Sequence, residues 1–516
     1  MLKHSTFTRR QFAFGAGLFG ALGAFGGNRF FAASGFKAGC RPNVRFGVVS
    51  DIHITCVGEV DDPKIWGTNH TFRHTLEWFR EQNVDAVLIA GDMADLGMDE
   101  HFLAIAQAWY SVFPDDRYPD GRPIEKVFVT GNHDWHGYRY DKQAEKRYPD
   151  KTERMKHVLR ADMPGWWEKT FREKYEPIYL KEIKGYSFIG SHWDTDGYGT
   201  GGPVYPFGRI EGFLARHGKT IDPSRPFFYV QHPHPKDTCY GSWAWGHDKG
   251  IVTKTLSAYP NAIAFSGHSH YSLTDERSIW QGSFTSVGAG SLRYTGETAE
   301  EWQTGFENGR GGDWRASACK LMRKARTKDC RQGMLWSVYD DCIVVRRREF
   351  LSDLDLGPDW VMPLPTAESR PFAFAEHAKK MRIPEFPAGT KPVVRAVTVI
   401  NRGGSSKDGK DKIAAIKKSG YEVSVPPVVA DGNARLYTLE FSVKAKDGKI
   451  CTKYIVPNGF NHSIKHSSAK ERNTCLFAKD EIGAGDLTFS VTPLNCFRRR
   501  GRSVETVHPV SRMPKS

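Results

Sequence analysis

Five apolar runs in the first 270 residues each end on a short cluster of aspartate, asparagine or histidine. The runs are Phe46-Gly47-Val48-Val49-Ser50, Ala86-Val87-Leu88-Ile89-Ala90, Val127-Phe128-Val129-Thr130, Phe227-Phe228-Tyr229-Val230 and Ala262-Ile263-Ala264-Phe265. They lead into Asp51-Ile52-His53, Gly91-Asp92, Gly131-Asn132-His133-Asp134, His232 and Gly267-His268-Ser269-His270. Short apolar runs without polar alternation are what strands buried on both faces look like. Open α/β sheets collect their ligands beyond the carboxyl ends of such strands. The pattern therefore predicts that residues distant in the chain meet on one rim.

The residue types on that rim are those that hold metal ions. Asp51 and His53 stand two apart, as do His268 and His270, so on extended backbone each pair points to one side. Carboxylate, imidazole and amide groups suit Zn, Fe and Mn better than Mg or Ca. Two divalent ions roughly 3.5–4 Å apart can clamp the attacking and leaving oxygens of a phosphoryl group. A lone Gly-Asn-His or Asp-x-His is ordinarily a turn, but five clusters in this order read as one two-metal site. Gln231-His232-Pro233-His234-Pro235 offers two histidines, and the reading prefers His232 because it stands where the apolar run ends. His136 and His234 are the remaining histidines placed nearest to function, whereas His70, His74 and His192 are read as structural.

The order D-x-H, G-D-x-x-D, G-N-H-D, H, G-H-x-H resembles the calcineurin-like metallophosphoesterases, over residues 44–352. The resemblance implies an α/β fold, a two-sheet sandwich flanked by helices. It implies one ion on Asp51, His53, Asp92 and His270, and a second on Asp92, Asn132, His232 and His268, with Asp92 as the bridge. Iron, manganese or zinc would fill both sites. It further implies a hydroxide held between the ions as nucleophile and His133 as the non-ligand general acid, oriented by Asp95. The expected substrate is a small phosphomonoester or phosphodiester. Leu96 stands where the protein-phosphatase branch carries arginine, which argues against a phosphoprotein substrate. The alternatives are a nucleotide or cyclic-nucleotide phosphodiesterase and a non-catalytic binding protein.

Other segments set the organisation of the 516 residues. A mean hydropathy of −0.51 excludes a polytopic membrane protein. Residues 1–34 resemble a twin-arginine export signal: Arg9-Arg10-Gln11-Phe12 precede a glycine-rich apolar stretch, and Ala32-Ala33-Ser34 lie near a cleavage point. A periplasmic or extracellular enzyme is expected. Nine cysteines without a C-x-x-C suit an oxidising compartment, and Cys319 and Cys330 are a candidate pair. Insertions over 139–176 and 295–328 are long enough to shape access to the site. Helical spacing is expected between Trp66 and Phe79, and Met334–Tyr339 with Ile343–Arg348 read as a hairpin closing the second sheet.

Prolines mark residues 353–390 as a linker, expected to lie across the domain surface. Beyond it, 391–510 reads as a small all-β sandwich with a weak resemblance to fibronectin type III modules. Residues 390–516 hold 23 Lys/Arg against 11 Asp/Glu, so this module carries most of the +14 net charge. A solvated basic surface is the simplest reading, with weak contact to an anionic surface as the alternative. No aromatic interleaving points to specific nucleic-acid binding.

Overall fold

The computed structural model describes residues 41–54, 68–136, 145–146, 148–193, 208–239, 250–293, 295, 330–401, 404–405, 412–413, 416–429 and 435–509. The export segment, Cys319, most of the 295–328 insertion and the side chain of His136 lie outside them.

In chain order the strands of the first part are β1 (Val44–Val49), β2 (Ala86–Ala90), β3 (Glu125–Val129), β4 (Ile178–Ile183), β5 (Tyr186–Ser191), β6 (Phe227–Val230), β7 (Ala262–Ser266), β8 (Ile279–Gln281) and β9 (Thr285–Gly288). β10 (Gln332–Val338), β11 (Cys342–Glu349), β12 (Leu354–Asp355) and β13 (Trp360–Pro363) follow. One sheet has the order β12-β11-β10-β1-β2-β3, with β13 also paired to β11; the other runs β4-β5-β6-β7-β9-β8. The β1–β2–β3 and β5–β6–β7–β9 pairings are parallel, which aligns their carboxyl ends.

The two sheets pack face to face. Phe46 of β1 meets Phe188, Phe228 and Phe265 of the opposite sheet edge-on, with ring centroids 5.2, 4.8 and 5.9 Å apart. Outer-facing residues such as Val49, Ile89 and Phe128 belong to a second core shared with helices α1 (Thr68–Glu81) and α2 (Asp99–Val112). Both strand faces are therefore dry, which is why the runs lack polar alternation. Among the described residues no helix is long and apolar enough to cross a membrane.

Two expectations change. The hairpin β10–β11 pairs antiparallel with β1 and so extends the first sheet, not the one that ends on β7 and β9. The proline-bearing stretch is no simple surface tether, because β12 and β13 both hydrogen-bond to β11. Trp360 in β13 is buried and stacks on Arg347, with the guanidinium carbon 4.1 Å from the ring centre, so the strand covers a buried cation.

The C-terminal strands are β14 (Val393–Asn401), β15 (Ile416–Val425), β16 (Thr438–Ala445), β17 (Ile450–Ile455), β18 (Asn473–Ala478), β19 (Leu487–Leu494) and β20 (Val504–His508). They form a three-stranded sheet, β14-β15-β18, and a four-stranded one, β17-β16-β19-β20, every pairing antiparallel. Alternate residues Leu439, Phe441, Val443, Phe489 and Val491 share a core with Val423 and Phe477. This all-β part belongs to one unit with the first, Arg41–Ser516.

Candidate metal centre

The loops after β1, β2, β3, β6 and β7 converge on the carboxyl rim. Two groups of ligand atoms result, each within 4.8 Å: Asp51, His53, Asp92 and His270, and Asp92, His232 and His268. Asn132 joins the second, its Oδ1 3.1 Å from His232 Nε2. Asp92 is common to both. A third group, His53, Asp95 and His133, adjoins the first.

The local backbone is unusual for a reason. Asp51, His53, Asp92, His268 and His270 all have positive φ, between 48° and 70°. This left-handed region costs energy for any residue with a Cβ and tends to persist where surrounding contacts impose it, often at functional sites. Two glycines permit the crowding. A Cβ on Gly91 (φ +91°) would run into the His232 ring, and one on Gly267 into Ser50 and the Asp51 carboxylate.

Tautomers follow from the partners, since a carbonyl or carboxylate oxygen can only accept. His53 Nδ1 donates to Asp95 Oδ1 at 3.0 Å, and His270 Nδ1 to the Arg293 carbonyl at 3.0 Å. Their Nε2 lone pairs then face each other at 3.2 Å. Likewise His232 Nδ1 donates to the Ala90 carbonyl at 2.7 Å. Its Nε2 is thereby turned on two acceptors, Asp92 Oδ2 and Asn132 Oδ1, each at 3.1 Å. Lone pairs opposed at such distances repel unless a proton or a metal cation lies between them, and a buried set of imidazole, carboxylate and amide donors sharing Asp92 fits two metal ions.

The electrostatics agree. Burial alone would depress His53, but hydrogen bonds to Asp51 and Asp95 and the charge of Asp92 raise it to about 10. Burial likewise opposes charge on His232, and Asp92 outweighs it, to about 9. Burial would raise Asp51 and Asp92, yet the neighbouring histidines hold both far below the usual carboxylate range. The cavity is built to stabilise positive charge. Burial, then Asp92, pushes Asp134 up to about 7.

His133 is half-buried beside the first group, its ring 4.6 Å edge-on to His53. Here the geometry corrects one expectation. The Asp95 carboxylate does not orient His133; it binds His53, while the Asp95 backbone carbonyl accepts from His133 Nδ1 at 2.7 Å. Asp95 sits on a loop whose carboxylate already has a cationic neighbour, Arg293 Nη1 at 3.5 Å, and the buried imidazole of His53 is the closer donor. Burial keeps His133 below the ordinary imidazole value.

His234 does not join the site: it is buried, with Nδ1 and Nε2 each 2.6 Å from a serine hydroxyl, Ser266 and Ser269. His192 accepts from the Thr130 N–H at 3.1 Å, and His74 meets Asp353 at the surface. Residues to which the sequence assigned no role at the centre also appear, Asp134 of the G-N-H-D motif among them. Asp134 accepts from the N–H groups of Gly131 (2.7 Å), Ala94 (2.7 Å) and Met93 (3.4 Å), tying two ligand loops together. Arg293 and Trp193, whose ring lies 5.8 Å from His232, border the ligands. Cys330 is buried against the Asn461 carbonyl at 3.4 Å.

Residues 44–272 match the family model described as calcineurin-like phosphoesterase. This segment is a calcineurin-like phosphoesterase domain. The chain thus carries the ligand framework of a metal-dependent phosphoesterase. No curated protein matches the sequence significantly. Among solved structures, 62% of the chain is similar to 99% of a dimetal phosphatase from Danio rerio, at 12% identity and a TM-score of 0.34. A purple acid phosphatase from yellow lupin is similar over 64% of this chain and 56% of its own, at 10% identity and a TM-score of 0.38. Vacuolar Protein Sorting 29 from Cryptosporidium parvum shows 10% identity over 62% and 97%, with a TM-score of 0.25.

Proposed function

We propose that the phosphoesterase domain is a dinuclear hydrolase of small phosphomonoesters or phosphodiesters, working after export from the cytoplasm. The observation that carries the reading is the set of acceptor atoms turned on one another beside a half-buried, non-ligand histidine. When bound, two divalent ions supply an activated water and neutralise charge on the phosphoryl oxygens. The mixture of imidazole, carboxylate and amide ligands favours iron, manganese or zinc.

The protein residues supply the rest. Because His133 Nδ1 is committed to a carbonyl, Nε2 is the atom that would carry a proton towards the leaving oxygen. Burial holds this imidazole towards its neutral form, and an arriving phosphoryl anion shifts it back towards the imidazolium needed of a general acid. Asp95 fixes the His53 ring, and Asp134 fixes the two loops that carry Asp92 and Asn132.

Purified after metal-replete expression, the protein should contain about two transition ions per chain and hydrolyse members of a panel of monoesters, diesters and pyrophosphates. One ion or none by elemental analysis would overturn the dinuclear reading. The twin-arginine segment supports the export clause. Replacing Arg9 and Arg10 by lysine should strand folded protein in the cytoplasm, because the pair is read by a receptor. Unchanged export of that variant would remove the clause and leave the chemistry standing.

A further inference from the structure

We infer that Arg293 is a positioning residue dedicated to the first metal site, a clamp that holds three of its four ligands at once. The inference rests on the dinuclear reading above and concerns which part of the chain builds one half of the site.

The segment Ser291–Arg293 leaves β9 in the second sheet and runs beside the end of β1 in the first. Leu292 N–H donates to the Ser50 carbonyl and Arg293 N–H to the Asp51 carbonyl, both at 3.1 Å. The Arg293 carbonyl accepts from His270 Nδ1 at 3.0 Å, which turns His270 Nε2 into the site. Its guanidinium donates to the His53 carbonyl and lies 3.5 Å from the Asp95 carboxylate, the group that holds His53 Nδ1. Ser291 adds a hydroxyl contact to the Asp51 carbonyl at 3.2 Å. One residue thus touches Asp51, His53 and His270 directly. The other side chains are held differently: His232 by the Ala90 carbonyl and Asp92, Asn132 and His268 by contacts to His232, and the His268 N–H by the Asp51 carboxylate.

The physical consequence is asymmetric. Asp51 and His53 occupy left-handed backbone that persists under external restraint, and the His53 carbonyl and the Asp95 carboxylate that holds its ring face the same cation. Without the guanidinium, the first site loses ligand geometry while the second keeps its own supports. Partners of metal ligands ordinarily contribute 10–100-fold in metal affinity.

The test compares wild type with Arg293→Met, which keeps the stem, and with Arg293→Lys, which keeps the charge. Each full-length protein is loaded with Zn and titrated with a chelator while bound metal is counted. Wild type should hold two ions, and that measurement checks the dinuclear reading separately. In Arg293→Met one ion should leave at about 10–100-fold lower chelator concentration while the other stays at its wild-type value. Arg293→Lys should fall between, because a single ammonium cannot serve both the His53 carbonyl and Asp95. Added Zn should restore kcat of Arg293→Met with KM for p-nitrophenyl phosphate unchanged. Loss of both ions together would overturn the inference by showing a general loss of fold. Wild-type retention of both ions with a raised KM would also overturn it, and would make Arg293 a substrate contact.

Discussion

Each histidine in the centre has one nitrogen whose role is decided by what the other nitrogen meets. His53, His232 and His270 give Nδ1 protons to Asp95, Ala90 and Arg293 respectively, and Nε2 is left for the ion. His133 makes the same kind of donation, to a carbonyl, but lies outside the two ligand sets that share Asp92, which is why the proton-transfer role we propose falls to its Nε2. Asp92→Asn should therefore lose both metal and activity, since Asp92 is common to both sets. His133→Ala should keep two ions and lose kcat by about 10²–10⁴-fold on substrates with poor leaving groups. The loss should shrink with p-nitrophenyl esters, whose leaving group needs little protonation. Full turnover of an alkyl phosphate by His133→Ala would remove its assigned role.

Between elements, the end of β3 is tied to the end of β5 by a histidine that must stay neutral. His192 Nδ1 accepts the Thr130 N–H at 3.1 Å, just before the Asn132–His136 helical turn, and its ring packs 4.6 Å from Trp167 and from Tyr175. Burial, then Arg209, lowers its pKa to about 3. The folded value lies below the unfolded one, so the unfolded chain takes up the proton first. The stability this residue contributes is complete above about pH 6.5 and is lost as pH falls towards 3. At pH 5 the loss is about 2 kcal/mol. His192→Phe should cost ~1–3 kcal/mol at pH 7, by leaving the Thr130 N–H without its acceptor. In urea denaturation, the gap between wild type and variant should narrow at pH 5. A gap of constant size at both pH values would show that His192 does not stay neutral in the fold.

At the scale of the whole molecule, the C-terminal strands are built onto the phosphoesterase domain just behind its last ligand loop. Thr274 donates to the Phe460 carbonyl at 2.8 Å, Arg277 to Tyr437 at 2.7 Å and Gln332 to the Asn461 carbonyl at 2.6 Å. Arg435, also buried, donates to the Phe460 carbonyl at 2.5 Å and to the His462 carbonyl. Arg347 and Trp360 share Glu276 at 2.8 and 2.7 Å, and burial opposed by Arg347 and His377 leaves that carboxyl lowered to about 2. A chain ending at Phe350 lacks Trp360 and every module partner, so residues 273–278 would expose or orphan several buried polar groups. Such a truncation should aggregate or fail to hold both ions. A monomeric, two-ion truncated protein would show that the module is dispensable. Sequence reading favours an independent module here, because a proline-rich stretch looks like a tether and the buried polar contacts leave no periodic trace.

What the sequence by itself determined is the set of residues that meet. Doubly buried strands announce themselves by apolar runs, and parallel pairing forces the groups after Asp51, Asp92, Asn132, His232 and His268 onto one rim. The tertiary structure alone decided how they are held. Asp95 serves His53 rather than His133, Arg293 reaches His53 across 240 residues of chain, and β12 and β13 join the first sheet. Those choices depend on which loops lie side by side once two sheets stack. Single arginines and acids on irregular backbone carry no period from which that neighbourhood could be read.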